Sequence, residues 1–183
     1  MTYNYLLMVH SWLRWAFLLA ALYAIIRSLN GKFGNKPFGK EDNTAATILI
    51  ALTHTMLLLG LALWFISPKV QHAISKGASY SMDLTMDNTV NDKVKVEVDV
   101  YENDKTYDLS GVLKVKVLRA LVIEHPLINI IAVVLIQIGR IKSKKAYEDA
   151  VKHNRSLIYY GLGLLLILSR IPWGTSPLFR GME

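Results

Sequence analysis

The chain has 183 residues, of which 52% are hydrophobic, and its mean hydropathy of +0.30 is high for a soluble domain. It carries a formal net charge of +7 and no cysteine, which excludes disulfides, thiolate metal sites and cysteine nucleophiles. The apolar residues form long runs, and the excess lysines and arginines lie in the short segments between them. Composition therefore predicts an integral membrane protein and argues against a nucleic-acid-binding one.

Four apolar stretches are long enough to cross a bilayer, which takes roughly 20 residues. The predicted helices cover residues 3–29, 44–66, 117–141 and 156–173. Residues 30–43 are rich in glycine, asparagine and lysine, which is typical of a loop. The sequence therefore predicts an all-α membrane protein, a four-helix transmembrane bundle.

Residues 79–116, between the second and third helices, have a different pattern. Val94, Val96, Val98 and Val100 alternate with charged residues, which is the period of a strand with one buried face. Residues 107–117 supply a partner strand, and residues 82–86 a weaker third one. We predict a small extramembrane β insertion here, which divides the chain into 1–78, 79–116 and 117–183. A short surface helix at 69–76 precedes it, and the insertion is a candidate surface for docking a membrane or periplasmic protein.

The basic segments indicate an orientation. Lysines and arginines outnumber acids in the segments around residues 27–42 and 140–155, which lie on the same side of a four-helix chain. The positive-inside rule places that side in the cytoplasm. Both termini and the β insertion then face the periplasm of a bacterial inner membrane. His153 falls at the cytoplasmic edge.

Several polar residues lie within the predicted helices. His10 and Arg14 are four apart on the first helix and so share one face. His125 is near the start of the third helix, and both histidines fall roughly 8–12 Å below the periplasmic interface by helix rise. Arg170 lies near the same end of the fourth helix, whereas His54 is about 10 Å deeper. Polar groups at such depth usually face a bundle interior or a functional cavity.

Two histidines at matching depth on different helices are what a b-type haem requires, because imidazole nitrogens bind the iron from opposite faces. His10 and His125 are the candidate ligands. Arg14 and Arg170 are the candidate partners of the haem propionates, since guanidinium groups bind carboxylates in bidentate fashion.

Other interpretations remain open at these residues. Each histidine could instead pack in the bundle and hydrogen-bond across helices. A second alternative is a copper, zinc or iron site formed by His10, His54, His125 and Glu124. Glu124 could form an ion pair with Arg170, act as a proton-relay carboxylate, or belong to a polar network with His54.

Three short motifs carry a resemblance to a known group. The chain has H-S-W-L-R-W at 10–15, I-E-H-P-L at 123–127 and R-I-P-W at 170–173. In these motifs it resembles small four-helix bacterial membrane proteins labelled cytochrome-b-like. The resemblance covers the four helices but not the insertion at 79–116, and it implies a haem b held by His10 and His125.

Two functional hypotheses follow. The first is a haem-b membrane protein that transfers electrons, with quinol or a periplasmic protein as the redox partner. The second is a non-enzymatic accessory subunit of a larger envelope or respiratory complex, with the insertion as its docking surface. The sequence contains no catalytic triad or phosphate-binding loop, so hydrolase, ATPase and kinase functions are not predicted.

Overall fold

The computed structural model describes residues 2–67, 70, 83–86, 94–97 and 119–171. The elements in chain order are α1 (Thr2–Phe33), α2 (Lys40–Ile66), β1 (Asp83–Met86), β2 (Val94–Glu97), a π-helical turn (Ala120–Glu124), α3 (His125–Lys144) and α4 (Asp149–Ser169). The π-helical turn leads directly into α3, so the two form one continuous helical segment.

The four α-helices pack as a bundle. Helix α1 lies between α2 and α4, and α3 also contacts α2 and α4, so each helix neighbours those adjacent to it in sequence and α1 also neighbours α4. All four helices contribute to one apolar core, which contains Phe17, Ala21, Ala24, Ala45, Ala46, Leu49, Ile136 and Tyr160. The predicted four-helix architecture is confirmed.

Small residues set the spacing of α3 and α4. A Cβ atom added at Gly139 would lie 2.4 Å from Cβ of Tyr159, and one added at Gly163 would lie 2.5 Å from Cγ1 of Ile136. Neither distance leaves room for a side chain. The two helix backbones therefore approach each other closely, as small residues permit in membrane bundles.

Within the described part of the chain, three segments are long and apolar enough to cross a membrane: Tyr3–Phe33, Lys40–Ile66 and Ala120–Lys144. The sequence predicted a fourth span in α4, but this helix is not apolar over a sufficient length. Its first two turns carry Asp149, Lys152 and Arg155, which leaves an apolar segment of only residues 156–169. That segment is roughly 21 Å long by helix rise, short of a hydrocarbon core of about 30 Å.

The loop between α1 and α2 is shorter than the predicted one at 30–43, because α1 continues to Phe33 and α2 begins at Lys40. Asp42 explains the early start of α2, since its Oδ2 accepts the backbone N–H of Gly39 at 2.9 Å. Its Oδ1 accepts Nε of Arg27 at 3.0 Å, and Glu41 pairs with the same guanidinium at 2.6 Å. Capping and an ion pair across the loop therefore extend both helices.

Strands β1 and β2 pair antiparallel, with Asp83 opposite Glu97 and Met86 opposite Val94. The sequence predicted strands at Val94, at residues 107–117 and, more weakly, at residues 82–86, and β1 falls within the last of these segments. Residues 107–117 lie outside the described part of the chain, as does nearly all of the predicted surface helix at 69–76. A folded β insertion across 79–116 therefore stays a prediction.

Candidate functional site

The bundle has two polar ends. One, here called the histidine end, contains the first turns of α1, the last turns of α2, the π-helical turn and the end of α4. The other, here called the basic end, contains the α1–α2 and α3–α4 loops and the helix turns beside them. The residues predicted to bind haem, His10, Arg14, His125 and Arg170, all lie at the histidine end.

Pro126 shapes the histidine end. In an α-helix the carbonyl of Val122 would accept the N–H of residue 126, but proline has none. The chain forms a π-helical turn instead, in which the N–H of His125 bonds the carbonyl of Ala120. The freed Val122 carbonyl accepts Nε1 of Trp64 from α2 at 3.0 Å. The helix is thus locally opened at Pro126, directly beside His125.

His125 is oriented by the end of α4. Its Nδ1 lies 2.8 Å from the backbone carbonyl oxygen of Arg170. A carbonyl accepts only, so Nδ1 carries a hydrogen, and in the neutral ring Nε2 then holds a lone pair. A backbone carbonyl on one ring nitrogen is the usual arrangement of a metal-binding histidine, since it fixes the tautomer and the ring orientation.

His10 lies against α2. A Cβ atom added at Gly60 would be 3.4 Å from Cε1 of His10, an ordinary van der Waals contact, so the imidazole lies beside Gly60 of α2. Nδ1 of His10 is buried and has no hydrogen-bond partner among the described residues. His10, Arg14 and His125 lie near enough for their charges to interact. His10 on α1 and His125 on α3 lie at the same end of the bundle, and their pairing at one site stays a prediction.

The two predicted propionate partners differ in surroundings. Arg14 is buried, with 8% of its surface exposed, and its Cζ lies 5.6 Å from the centre of the Trp15 ring. Arg170 pairs through Nη1 with Oε2 of Glu124 at 3.1 Å. Arg119 holds the other Glu124 oxygen at 2.8 Å. Glu124 and Arg170 therefore form the ion pair that the sequence left open, but the pair is partly exposed.

His54 lies apart from this group. Its side chain is exposed on the outer surface of α2, and Nδ1 donates to the carbonyl of Ile50 in its own helix at 2.8 Å. His54 is roughly 18 Å from the end of α2, whereas Gly60 is roughly 9 Å from it. No group of three or more His, Asp or Glu side chains suited to a metal ion occurs among the described residues. The copper, zinc or iron site predicted from His10, His54, His125 and Glu124 therefore does not include His54, which lies apart from His10.

Two residues of the site were not identified from the sequence. Gly60 contacts His10, and Trp64 bonds the carbonyl of Val122, but the sequence connects neither residue with the site. Pro126 implies a free carbonyl at Val122, which is a signal in the sequence that some donor must approach. The residues around Val122 do not indicate that this donor is on α2.

Comparisons with known proteins found no matching family model, no similar curated protein and no similar solved structure. The resemblance to cytochrome-b-like membrane proteins therefore stays a prediction.

Proposed function

We propose that this chain is an integral membrane protein that binds haem b through His10 and His125 and transfers electrons. The observation that carries the proposal is the pair of imidazoles, one from α1 and one from α3, at the same end of an apolar bundle. His125 contributes a nitrogen that is left free by its bond to the Arg170 carbonyl. Bis-histidine ligation of this kind is how helical bundles hold b-type haem.

The side chains present suit this group chemically. Nδ1 of His10 is buried and has no hydrogen-bond partner within the described ranges, so a metal could satisfy this nitrogen. Arg14 lies one helical turn from His10 and would bind a propionate. Haem b, when bound, supplies a one-electron redox centre. The protein contributes the ring orientation of His125 and the apolar surroundings, both of which tune a reduction potential.

The proposed arrangement in the membrane follows the charges. The basic end faces the cytoplasm of a bacterial inner membrane, and the histidine end with the segment 68–118 faces the periplasm. Helix α4 completes the bundle beside α1 and α3 and shields its core. Electrons would be exchanged with quinol in the bilayer or with a periplasmic protein. Reporter fusions at Asn35 and Glu148 should give a cytoplasmic signal and one at Asn103 a periplasmic signal; a cytoplasmic signal at Asn103 would contradict the orientation.

The test is an absorption spectrum of the purified protein, oxidised and dithionite-reduced, after expression with adequate haem supply. The wild type should show a Soret band and the narrow reduced bands of low-spin b-type haem. His10→Ala and His125→Ala should each remove most of the low-spin signal, because either change takes away one axial ligand. His54→Ala is the matched control, since it removes an imidazole that does not face the site.

Three results would contradict the proposal or redirect it. A wild-type protein without a Soret band contradicts haem binding. Loss of the spectrum in His54→Ala would mean that a different histidine is a ligand. Absence of haem together with co-purification of a stoichiometric protein partner would favour the accessory-subunit hypothesis.

A further inference from the structure

The acidic side chains of the basic end are largely paired within the protein. Asp42 and Glu41 both bind the guanidinium of Arg27, at 3.0 Å and 2.6 Å. Asp149 accepts Nζ of Lys152 at 2.8 Å. These carboxylates are therefore not available to neutralise other lysines.

Several cations of the basic end are also engaged inside the bundle. Lys32 donates to Oδ1 of Asn154 at 2.7 Å. Arg140 donates to Oδ1 of Asn43 at 3.1 Å. Arg155 donates to the carbonyl of Lys142 at 2.7 Å. Each of these bonds joins two helices, so these residues serve the packing of the bundle.

A second set of cations has no such role. Lys36, Lys40, Lys144 and Lys145 are exposed, and none forms an ion pair within the part of the chain that the structure describes. The acid remaining beside them is Glu148, which is also exposed and unpaired among those residues. Lys142 is also exposed but donates to the hydroxyl of Tyr159. Among the described residues, the basic end thus presents these four lysines and Glu148 without a side-chain partner.

Exposed aromatic rings accompany these lysines. Tyr147, in the α3–α4 loop, is 98% exposed, and Phe33, at the end of α1, is 75% exposed. Aromatic rings next to lysines at the ends of apolar helices are typical of the interfacial layer of a membrane, where the ring lies at headgroup depth. Lys144 is itself the last residue of an apolar span. The lysines are therefore placed where lipid phosphates would lie.

We infer that the basic end binds the headgroups of anionic phospholipids through Lys36, Lys40, Lys144 and Lys145, with Phe33 and Tyr147 in the interfacial layer. The complementarity is one of charge, because a surplus of unpaired ammonium groups meets phosphate groups of opposite sign. The position of the lysines at the helix ends favours a lipid over a soluble polyanion. This inference does not depend on haem binding, which concerns the opposite end of the bundle.

The experiment uses the full chain in neutral detergent micelles, to which phosphatidylglycerol or phosphatidylcholine is added, with the melting temperature as readout. Phosphatidylglycerol should raise the melting temperature more than phosphatidylcholine, since ligand binding to the folded state stabilises it. The variant Lys36→Gln/Lys40→Gln/Lys144→Gln/Lys145→Gln should lose this preference. We expect the apparent affinity for phosphatidylglycerol to fall about five-fold for each lysine removed.

The control is Lys93→Gln/Lys95→Gln/Lys105→Gln/Lys114→Gln, which removes four positive charges from the segment between α2 and α3. It should keep the preference for phosphatidylglycerol. The inference is overturned if the wild type responds equally to both lipids, or if the basic-end variant responds as the wild type does. It is also overturned if inorganic phosphate at matched ionic strength reproduces the full shift, because the surface would then bind soluble phosphate.

Discussion

The two ends of the bundle each place a histidine against a backbone carbonyl, but they surround the ring differently. At the basic end His153 is 1% exposed, and its Nε2 bonds the Lys36 carbonyl at 3.2 Å. A Cβ atom added at Gly31 would lie 2.1–2.3 Å from three atoms of this ring, and the Phe38 ring covers it at 4.9 Å. At the histidine end, by contrast, His125 is only partly buried.

The comparison shows which observation distinguishes a packing histidine from a ligand candidate. Nδ1 of His153 is buried without a hydrogen-bond partner among the described residues, and so is Nδ1 of His10. An unpartnered nitrogen is therefore common to both ends. What differs is space, since His153 is enclosed by the Gly31 backbone whereas His10 makes only ordinary contact with Gly60. We therefore expect His153 to support the fold and the His10–His125 pair to support function.

The largest expected effect is the loss of stability when His153 rather than His125 is removed. His153→Ala should lower the free energy of unfolding by about 2–4 kcal/mol, because it leaves a cavity in a fully enclosed site. His125→Ala should cost only about 1 kcal/mol, the value of a hydrogen bond near the surface, yet remove the haem spectrum. Unfolding by SDS titration in detergent micelles, followed by circular dichroism, measures the first quantity. Equal losses of stability for the two variants would mean that the ends do not differ in this way.

A matched pair of glycine substitutions tests the difference in space. Gly31→Ala should destabilise the protein by about 1–3 kcal/mol, because the new methyl group overlaps the His153 ring. Gly60→Ala should be neutral or stabilising by up to about 1 kcal/mol, since alanine favours the helix and the new contact with His10 is an ordinary one. The same SDS titration applies. A large loss of stability in Gly60→Ala would show that His10 is as tightly enclosed as His153.

The bond between Trp64 and the Val122 carbonyl should contribute about 1 kcal/mol, so Trp64→Phe should lower stability by that amount. Pro126→Ala restores an N–H that can bond the same carbonyl. In that background Trp64→Phe should cost less, and a double-mutant cycle measures the difference. Trp12→Phe, at an indole that is 62% exposed, is the control. If the losses of stability in Trp64→Phe and Pro126→Ala simply added, Pro126 would not be what frees the Val122 carbonyl for Trp64.

The smallest expected effect concerns pH at the basic end. A hydrogen bond from Lys152 holds the pKa of the Asp149 carboxyl below its ordinary value of 3.8. A depressed pKa in the folded state stabilises the protein above the unfolded value, and this contribution disappears as pH falls from about 3.8 through the lower folded pKa. Asp149→Asn should remove this part of the acid dependence while leaving stability at pH 7 nearly unchanged, because the carboxylate is at the surface. Melting temperatures measured from pH 6 downward test this.

Much of the fold could be predicted from the sequence because long apolar runs specify helices by composition alone. The helix ends were less predictable, since α1 reaches Phe33 through contacts with other helices: Gly31 packs against His153, and Arg27 binds Asp42. The bond between Arg27 and Asp42 joins α1 to a residue that follows the loop in sequence. Local preferences of glycine, asparagine and lysine suggest a longer loop, and tertiary contacts override them.

The depth of the candidate site along the helices could be predicted from the sequence, but the contacts of its side chains could not. Counting helix rise placed His10 and His125 together and His54 deeper, because the rise per residue is fixed. The direction in which His54 points depends on how α2 is rotated in the bundle, which residue counting does not give. The partner of Arg170 was likewise open, because an arginine can bind either a carboxylate side chain or a cofactor propionate. In the structure Arg170 pairs with Glu124.

The short apolar segment of α4 has a consequence for the surrounding lipid. Roughly 21 Å of apolar helix beside neighbours that are long enough to span gives the bundle an uneven hydrophobic belt. Arg155 and Lys152 are engaged by the Lys142 carbonyl and by Asp149, so the lipids next to α4 should thin locally. Each ångström of mismatch costs a fraction of a kcal/mol. Stability should therefore depend on bilayer thickness, and the protein should be more stable in thin, short-chain membranes than in thick ones.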